Sequence, residues 1–278
     1  MTKYCYLNGQ IVPISEAKVG IEDIGLLRGY GVYDGLAVIG GKPFRFADHF
    51  ARFLAGAQTL NLNVPITEES CEKKIKEIVE KSGFSIRANV RMILTGGPTV
   101  GGIEYEFENP TFYITTDKWE SLPSEYYNEG AKLLTYRYRR EMPEHKTINY
   151  ITAVKLQNWR KEEGAVEILY TYDGEVFECA TSNICIVKNR VIITPAEDVL
   201  GGITLKAVLE LAEKLGYSIE RRRVYEDELK TADEIFITSS FKDIVPIVNI
   251  DGSAVGGGQP GQITKQISQL FTKELNLL

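Results

Sequence analysis

Histidine is almost missing from this chain: His49 and His145 are the only two in 278 residues, which argues against a metal centre built on imidazole. Cysteine is nearly as scarce. Cys5, Cys71, Cys179 and Cys185 form no Cys-x-x-Cys pair, so they read as reduced, mostly buried thiols of a cytoplasmic protein. No run approaches 18 apolar residues, and the first nine residues, Met-Thr-Lys-Tyr-Cys-Tyr-Leu-Asn-Gly, lack the apolar stretch of a secretory leader. A basic excess is absent too. Thirty-two Lys and Arg stand against 38 Asp and Glu, a net charge of −6, and a nucleic-acid partner is not expected. Repeats and low-complexity tracts are also lacking. What remains is an ordinary globular composition, 44% apolar and 25% charged, in a chain long enough for two domains.

Hairpin signals and a few long amphipathic helices organise the chain. Asn8-Gly9 and Asp173-Gly174 each sit between short apolar runs, the chemistry of a two-residue turn with both central residues at positive φ. Phe50, Phe53, Leu54, Ala57 and Leu60 recur at helical spacing, as do Cys71, Ile75, Ile78 and Val79. Stretches 85–95 and 111–116 read as strands on either side of a glycine-rich loop, 96–102. Helices are expected over 150–162, 203–215 and 263–275. Strands paired by short hairpins, with few helices, indicate α+β rather than regular βαβ alternation. The cluster of Pro, Ser and charge at 119–125 reads as a linker between a domain over 1–118 and one over 126–278.

One site is legible from physics alone. Gly201-Gly202 directly precedes a helix that opens with Ile203-Thr204, and free N–H groups at a helix start favour an anion. The same pair also suits a plain tight turn. It is neither a Walker loop nor a dinucleotide fingerprint. Glu178, at the end of a hairpin strand, has the pattern of an edge-strand solubility device. Arg52 reads as a surface arginine on an amphipathic helix, and Lys146 as an exposed lysine. Arg28, between Leu27 and Gly29 at the start of an apolar strand, is expected to be buried and so to need an anionic partner.

Together these residues form a pattern. Lys146-Thr-Ile-Asn-Tyr150, Gly174-Glu-Val-Phe-Glu178-Cys-Ala-Thr-Ser182-Asn183, Thr194-Pro195 and Leu200-Gly-Gly-Ile-Thr204 follow one another in an order and spacing that resembles the fold-type IV pyridoxal-phosphate enzymes. These include D-amino-acid and branched-chain aminotransferases and aminodeoxychorismate lyase. The resemblance runs nearly end to end. It implies a smaller N-terminal α/β domain, a larger C-terminal pseudo-barrel domain, and a homodimer. It further implies that Lys146 forms the Schiff base with pyridoxal 5′-phosphate and carries the proton, and that Glu178 partners the pyridine nitrogen. Arg52, Ile203, Thr204 and Ser240 would meet the phosphate, with Arg52 able to bind it bidentately, and Tyr150 the ring hydroxyl.

The match departs from the family pattern around the substrate. In Arg28-Gly-Tyr-Gly-Val-Tyr-Asp34, Tyr30 stands where many members have aspartate and Asp34 where they have glutamate. The Arg-x-His carboxylate trap of D-amino-acid aminotransferases is absent from loop 96–102. Arg28 first and Arg91 second are the candidates to bind the substrate α-carboxylate, with Tyr30 beside them. Transamination between a D-amino acid and a 2-keto acid is the favoured reading. A branched-chain L-aminotransferase and an aminodeoxychorismate lyase are the alternatives.

Overall fold

The computed structural model describes residues 2–278, and the chain divides into two compact units. The first comprises the chain up to Glu120 together with His145–Tyr150 and Leu278; the second comprises Ser121–Glu144 and Ile151–Leu277. The division falls between Glu120 and Ser121, within 119–125, and residues 145–150 group with the first unit. Among the described residues, no helix is long and apolar enough to cross a membrane.

In the first unit the elements run β1 (Tyr4–Leu7), β2 (Gln10–Pro13), α1 (Ile24–Arg28), β3 (Gly31–Ile39), β4 (Lys42–Pro43), α2 (Phe46–Thr59), α3 (Glu68–Lys81), β5 (Arg87–Thr95), β6 (Thr99–Val100), β7 (Glu104–Tyr105) and β8 (Thr111–Lys118). Six strands form an antiparallel sheet in the order β2-β1-β8-β5-β3-β4. Asn8 and Gly9, at φ 42° and 96°, make the turn between β1 and β2 that their residue types demand. The period of two in β3 and β5 brings Val32, Leu36, Val38, Val90 and Met92 into one core with Phe50, Phe53, Ile75 and Ile78 of α2 and α3. Each such side chain, removed from water, contributes about 1.5–3 kcal/mol.

The second unit runs α4 (Ser124–Asn128), β9 (Ala131–Arg137), α5 (Ile151–Lys155), α6 (Gln157–Glu162), β10 (Glu167–Tyr172), β11 (Glu175–Cys179), β12 (Asn183–Lys188), β13 (Val191–Thr194), α7 (Ile203–Lys214), β14 (Ser218–Arg221), β15 (Val224–Tyr225), α8 (Glu226–Thr231), β16 (Glu234–Ser239), β17 (Asp243–Ile250), β18 (Ser253–Ala254) and α9 (Gln262–Leu275). Nine strands follow the order β14-β13-β12-β16-β17-β9-β10-β11-β15, and β18 pairs with β17. The sheet is mixed: β9 runs parallel to both β10 and β17, and β13 parallel to β14. Strand β12 is buried at five successive positions, which is why it reads as an unbroken apolar run. The single helix expected over 150–162 is two, α5 and α6, meeting at Leu156.

Candidate active site

Lys146 owes its position to β3. Tyr33 N–H donates to the Lys146 carbonyl at 2.8 Å, Ile148 N–H donates to the Gly31 carbonyl at 3.0 Å, and Thr147 bridges Val32. This backbone pairing is what groups residues 145–150 with the first unit. The lysine is half-buried rather than an exposed surface residue. Its Nζ lies 3.3 Å from the Tyr33 hydroxyl and 4.8 Å from that ring's centroid. The Tyr33 hydroxyl in turn donates to the Tyr150 hydroxyl at 2.6 Å, the two rings meeting edge to face. A primary amine and two phenols are therefore held in one hydrogen-bonded chain.

The neighbouring residue on β3 points to the other face of the strand. Asp34 takes its place among Val32, Leu36 and Val38, and its carboxylate is fully buried. His49 and Arg52, one turn apart on α2, both reach it. Arg52 donates from Nε at 2.8 Å and from a terminal nitrogen at 2.9 Å, and His49 Nδ1 lies 2.7 Å away. Arg52 is thus not a solvated surface residue. Its bidentate edge is taken by Asp34, so that edge does not wait for a phosphate. Burial alone would raise the Asp34 pKa, but Arg52 and His49 hold it well below the usual carboxylate range. Burial lowers the His49 pKa, against the pull of Asp34.

In the second unit Glu178 is buried inside the sheet, between β10 and β15, and is no edge-strand solubility device. One of its oxygens is 2.6 Å from Arg140 Nη1, and the other accepts the Leu200 N–H at 3.1 Å. Leu200 leads into Gly201-Gly202 and α7, so the carboxylate is tied to the start of that helix. Gly202 is required by close approach: a Cβ there would lie 1.9 Å from the Asn183 side-chain oxygen, while Gly201 faces open space. Ile203 and Thr204 open α7, whose first turn has no side-chain cap from Gly202. Ser240 lies in the turn between β16 and β17, and the nearby Thr238 hydroxyl is buried without a hydrogen-bond partner among the described residues. Buried Glu167 and Ser182 form a second cluster with half-buried Lys242 and exposed Thr181. Lys242 Nζ is 2.5 Å from the Glu167 carboxylate, which also accepts from both hydroxyls. Burial would raise the Glu167 pKa, but Lys242 and the hydroxyls bring it below the ordinary value.

Three shifted groups give acid sensitivity one sign. Asp34, Glu167 and His49 all have folded pKa values below their ordinary ones, so the unfolded chain binds those protons more tightly. Their contribution is complete above the unfolded pKa values and is lost as pH falls. His49's share starts to go below about pH 6.5, and those of the two carboxylates below about pH 5. Denaturant unfolding between about pH 8 and 3 is expected to show falling stability on acidification. His49→Gln should flatten the segment between about pH 7 and 5. Stability that rises on acidification would contradict this.

The candidate substrate groups each have different partners. Arg28 is exposed at the end of α1, a short helix capped by the Asp23 side chain and closed by Gly29 at φ 66°; it is neither buried nor on a strand. Its guanidinium donates to the adjacent Leu27 carbonyl at 2.9 Å. Arg91 is ion-paired with Asp117 at 3.1 Å. Tyr30 packs on Tyr105 and donates to the Leu60 carbonyl at 2.5 Å, with burial raising its pKa to about 12. Arg140, Asp34, His49 and Tyr33 are not among the site candidates that the sequence offers. Arg140 lies 38 residues from its partner Glu178, and no local pattern links the two.

The chain matches the class IV aminotransferase family over residues 31–250. It is 32% identical over 275 residues to a Methanocaldococcus jannaschii protein provisionally named a branched-chain-amino-acid aminotransferase, covering 96% of this chain and 94% of that one. It is 30% identical over 277 residues to the D-alanine aminotransferase of Listeria monocytogenes serotype 1/2a, with coverage of 97% and 95%. The T.th. branched-chain amino acid aminotransferase, solved with pyridoxamine 5′-phosphate, superposes with a TM-score of 0.91 at 26% identity, covering 99% of this chain and 94% of that one.

Proposed function

This chain belongs to the class IV aminotransferases, and on that premise we propose that it passes the amino group of a D-amino acid to a 2-keto acid in a ping-pong cycle. The family uses pyridoxal phosphate. The residue types of each unit suit that group: in the first a half-buried amine at Lys146, and in the second a buried carboxylate at Glu178, a helix start without a side-chain cap after Gly201-Gly202, and a buried hydroxyl at Thr238 without a partner among the described residues. Bound pyridoxal phosphate supplies the electron sink that makes the substrate's α-proton removable. Lys146 Nζ would hold the cofactor covalently and, as a free amine, would take the proton from the substrate's α-carbon. Tyr33, 3.3 Å from Nζ, orients the amine, and Tyr150 would meet the ring hydroxyl. Glu178, fixed by Arg140 and the Leu200 N–H, would accept a hydrogen bond from the protonated ring nitrogen. Arg52, through guanidinium donors beyond the edge that Asp34 takes, Ser240 and the N–H groups of Ile203 and Thr204 would meet the phosphate.

The observation that carries the D-amino-acid reading is Arg28. Loop 96–102 has no Arg or His, and Arg91 is committed to Asp117. Among the described residues Arg28 meets only its neighbour's carbonyl, which leaves it available to an α-carboxylate. Arg28→Ala is expected to raise the KM for D-alanine and D-glutamate by about 10- to 100-fold, the worth of one charge-assisted hydrogen-bonded pair. An unchanged KM would remove Arg28 from substrate binding. The M. jannaschii relative favours a second reading, a branched-chain L-aminotransferase, for which the aromatic pair Tyr33 and Tyr150 would offer apolar lining. We place the enzyme in the cytoplasm, where its four buried free thiols stay reduced, and as a homodimer that would cover exposed Ile21 and Leu26.

A further inference from the structure

The buried trio Asp34, His49 and Arg52 is larger than a phosphate-binding arginine needs. We propose that Asp34, steadied by His49, is a positioning residue that presets the Arg52 guanidinium for the cofactor phosphate; this rests on the reading of Arg52 as a phosphate ligand. An arginine side chain has many rotamers, and ordering it at the moment of binding weakens affinity. Here the ordering is complete beforehand. Two parallel N–H···O bonds, at 2.8 and 2.9 Å, fix both the plane and the rotation of the guanidinium, which a single contact would not do. The carboxylate is itself fixed, because β3 holds it on the core face and His49 Nδ1 occupies one of its oxygens at 2.7 Å. None of the three side chains is more than 12% exposed, so water does not compete for these bonds.

A purely structural ion pair tying α2 to β3 would look the same but behave differently. It would lower stability when broken and change the binding of pyridoxal and pyridoxal phosphate alike, since both meet Lys146 through the same aldehyde. A positioning role acts only on the ligand that has a phosphate. The test is therefore the ratio of Kd for pyridoxal to Kd for pyridoxal phosphate, titrated by absorbance and fluorescence into the full-length cofactor-free chain. Asp34→Asn should reduce that ratio by about 10-fold or more, as removal of an orienting partner does at other ligand sites. Asp34→Glu, which restores the carboxylate, should recover part of it. Val38→Ala, a core change on the same face of β3, should lower Tm and leave the ratio alone.

Arg52→Ala separates the two levels of the argument. A ratio unaffected by Arg52→Ala would overturn both the phosphate reading and the positioning role. A ratio that collapses in Arg52→Ala but is unchanged in Asp34→Asn would overturn the positioning role alone. If Asp34→Asn does not fold, His49→Gln decides: a ratio lowered about 3-fold supports the proposal, and an unchanged ratio overturns it.

Discussion

Lys146→Ala is expected to end transamination, with kcat reduced by at least about 10⁴-fold. Two losses coincide in this variant. Proton transfer by a positioned side chain is worth about 10²- to 10⁴-fold by itself, and the covalent hold on the cofactor is lost with it. The fold should be unaffected, because the hydrogen bond that places residue 146 comes from the Tyr33 N–H to the residue 146 carbonyl, and Thr147 keeps its bridge to Val32. Pyridoxal phosphate added to the variant should bind without the visible band of a lysine-bound cofactor. The side chain's neighbours, the Tyr33 and Tyr150 hydroxyls at 2.6 Å from each other, are unable to replace an amine as the covalent partner. A variant that keeps both the band and more than about one hundredth of wild-type turnover would remove Lys146 from the chemistry.

Glu178→Gln carries the second large effect. The amide keeps the shape of the side chain and an oxygen for the Leu200 N–H, so the turn before α7 need not move. It takes away the charge that faces Arg140 at 2.6 Å and that would hold a proton on the pyridine nitrogen. Loss of such a preorganised electrostatic contact typically costs about 10²- to 10³-fold in kcat. Breaking a buried ion pair also leaves the Arg140 guanidinium, 11% exposed, without its counter-charge, at a stability cost of about 3–5 kcal/mol. The double variant Glu178→Gln/Arg140→Met separates the two effects. Removing both charges should recover most of the lost Tm, while turnover stays low. If turnover recovers together with Tm, Glu178 acts on the fold and not on the cofactor.

Much of this arrangement is local and so legible in the sequence. The hairpins at Asn8-Gly9 and Asp173-Gly174 follow from residues that tolerate positive φ, and Gly201-Gly202 before Ile203 marks the helix start that becomes α7. The family resemblance rests on such short stretches, and the match over residues 31–250 bears it out. The true setting of Arg28 is also written locally, although the apolar strand beyond it masks the signal. Asp23, whose side chain accepts the Gly25 N–H, and Gly29 in the left-handed region are the start and stop signals of a short helix. The Asp34–His49–Arg52 trio is less accessible. Its three residue types read individually as polar, and only the period-two alternation of β3 against the α2 face shows that Asp34 must enter the core. Arg140–Glu178 and Lys242–Glu167 join residues far apart in the chain, on elements brought together only by the sheet order, and no spacing rule reaches them.

The central claim, that a lysine-bound pyridoxal phosphate accepts the amino group of a D-amino acid, is tested most directly by half-reactions. The cofactor-loaded protein is mixed separately with D-alanine, D-glutamate and L-leucine, no keto acid is added, and the visible absorbance is followed. The band should disappear with the two D-substrates and persist with L-leucine, and one equivalent of keto acid should be formed per active site. Loss of the band with L-leucine alone would contradict the D-amino-acid assignment and move the enzyme to branched-chain L-substrates. A band unchanged by all three would contradict transamination of either class and direct attention to the lyase reaction.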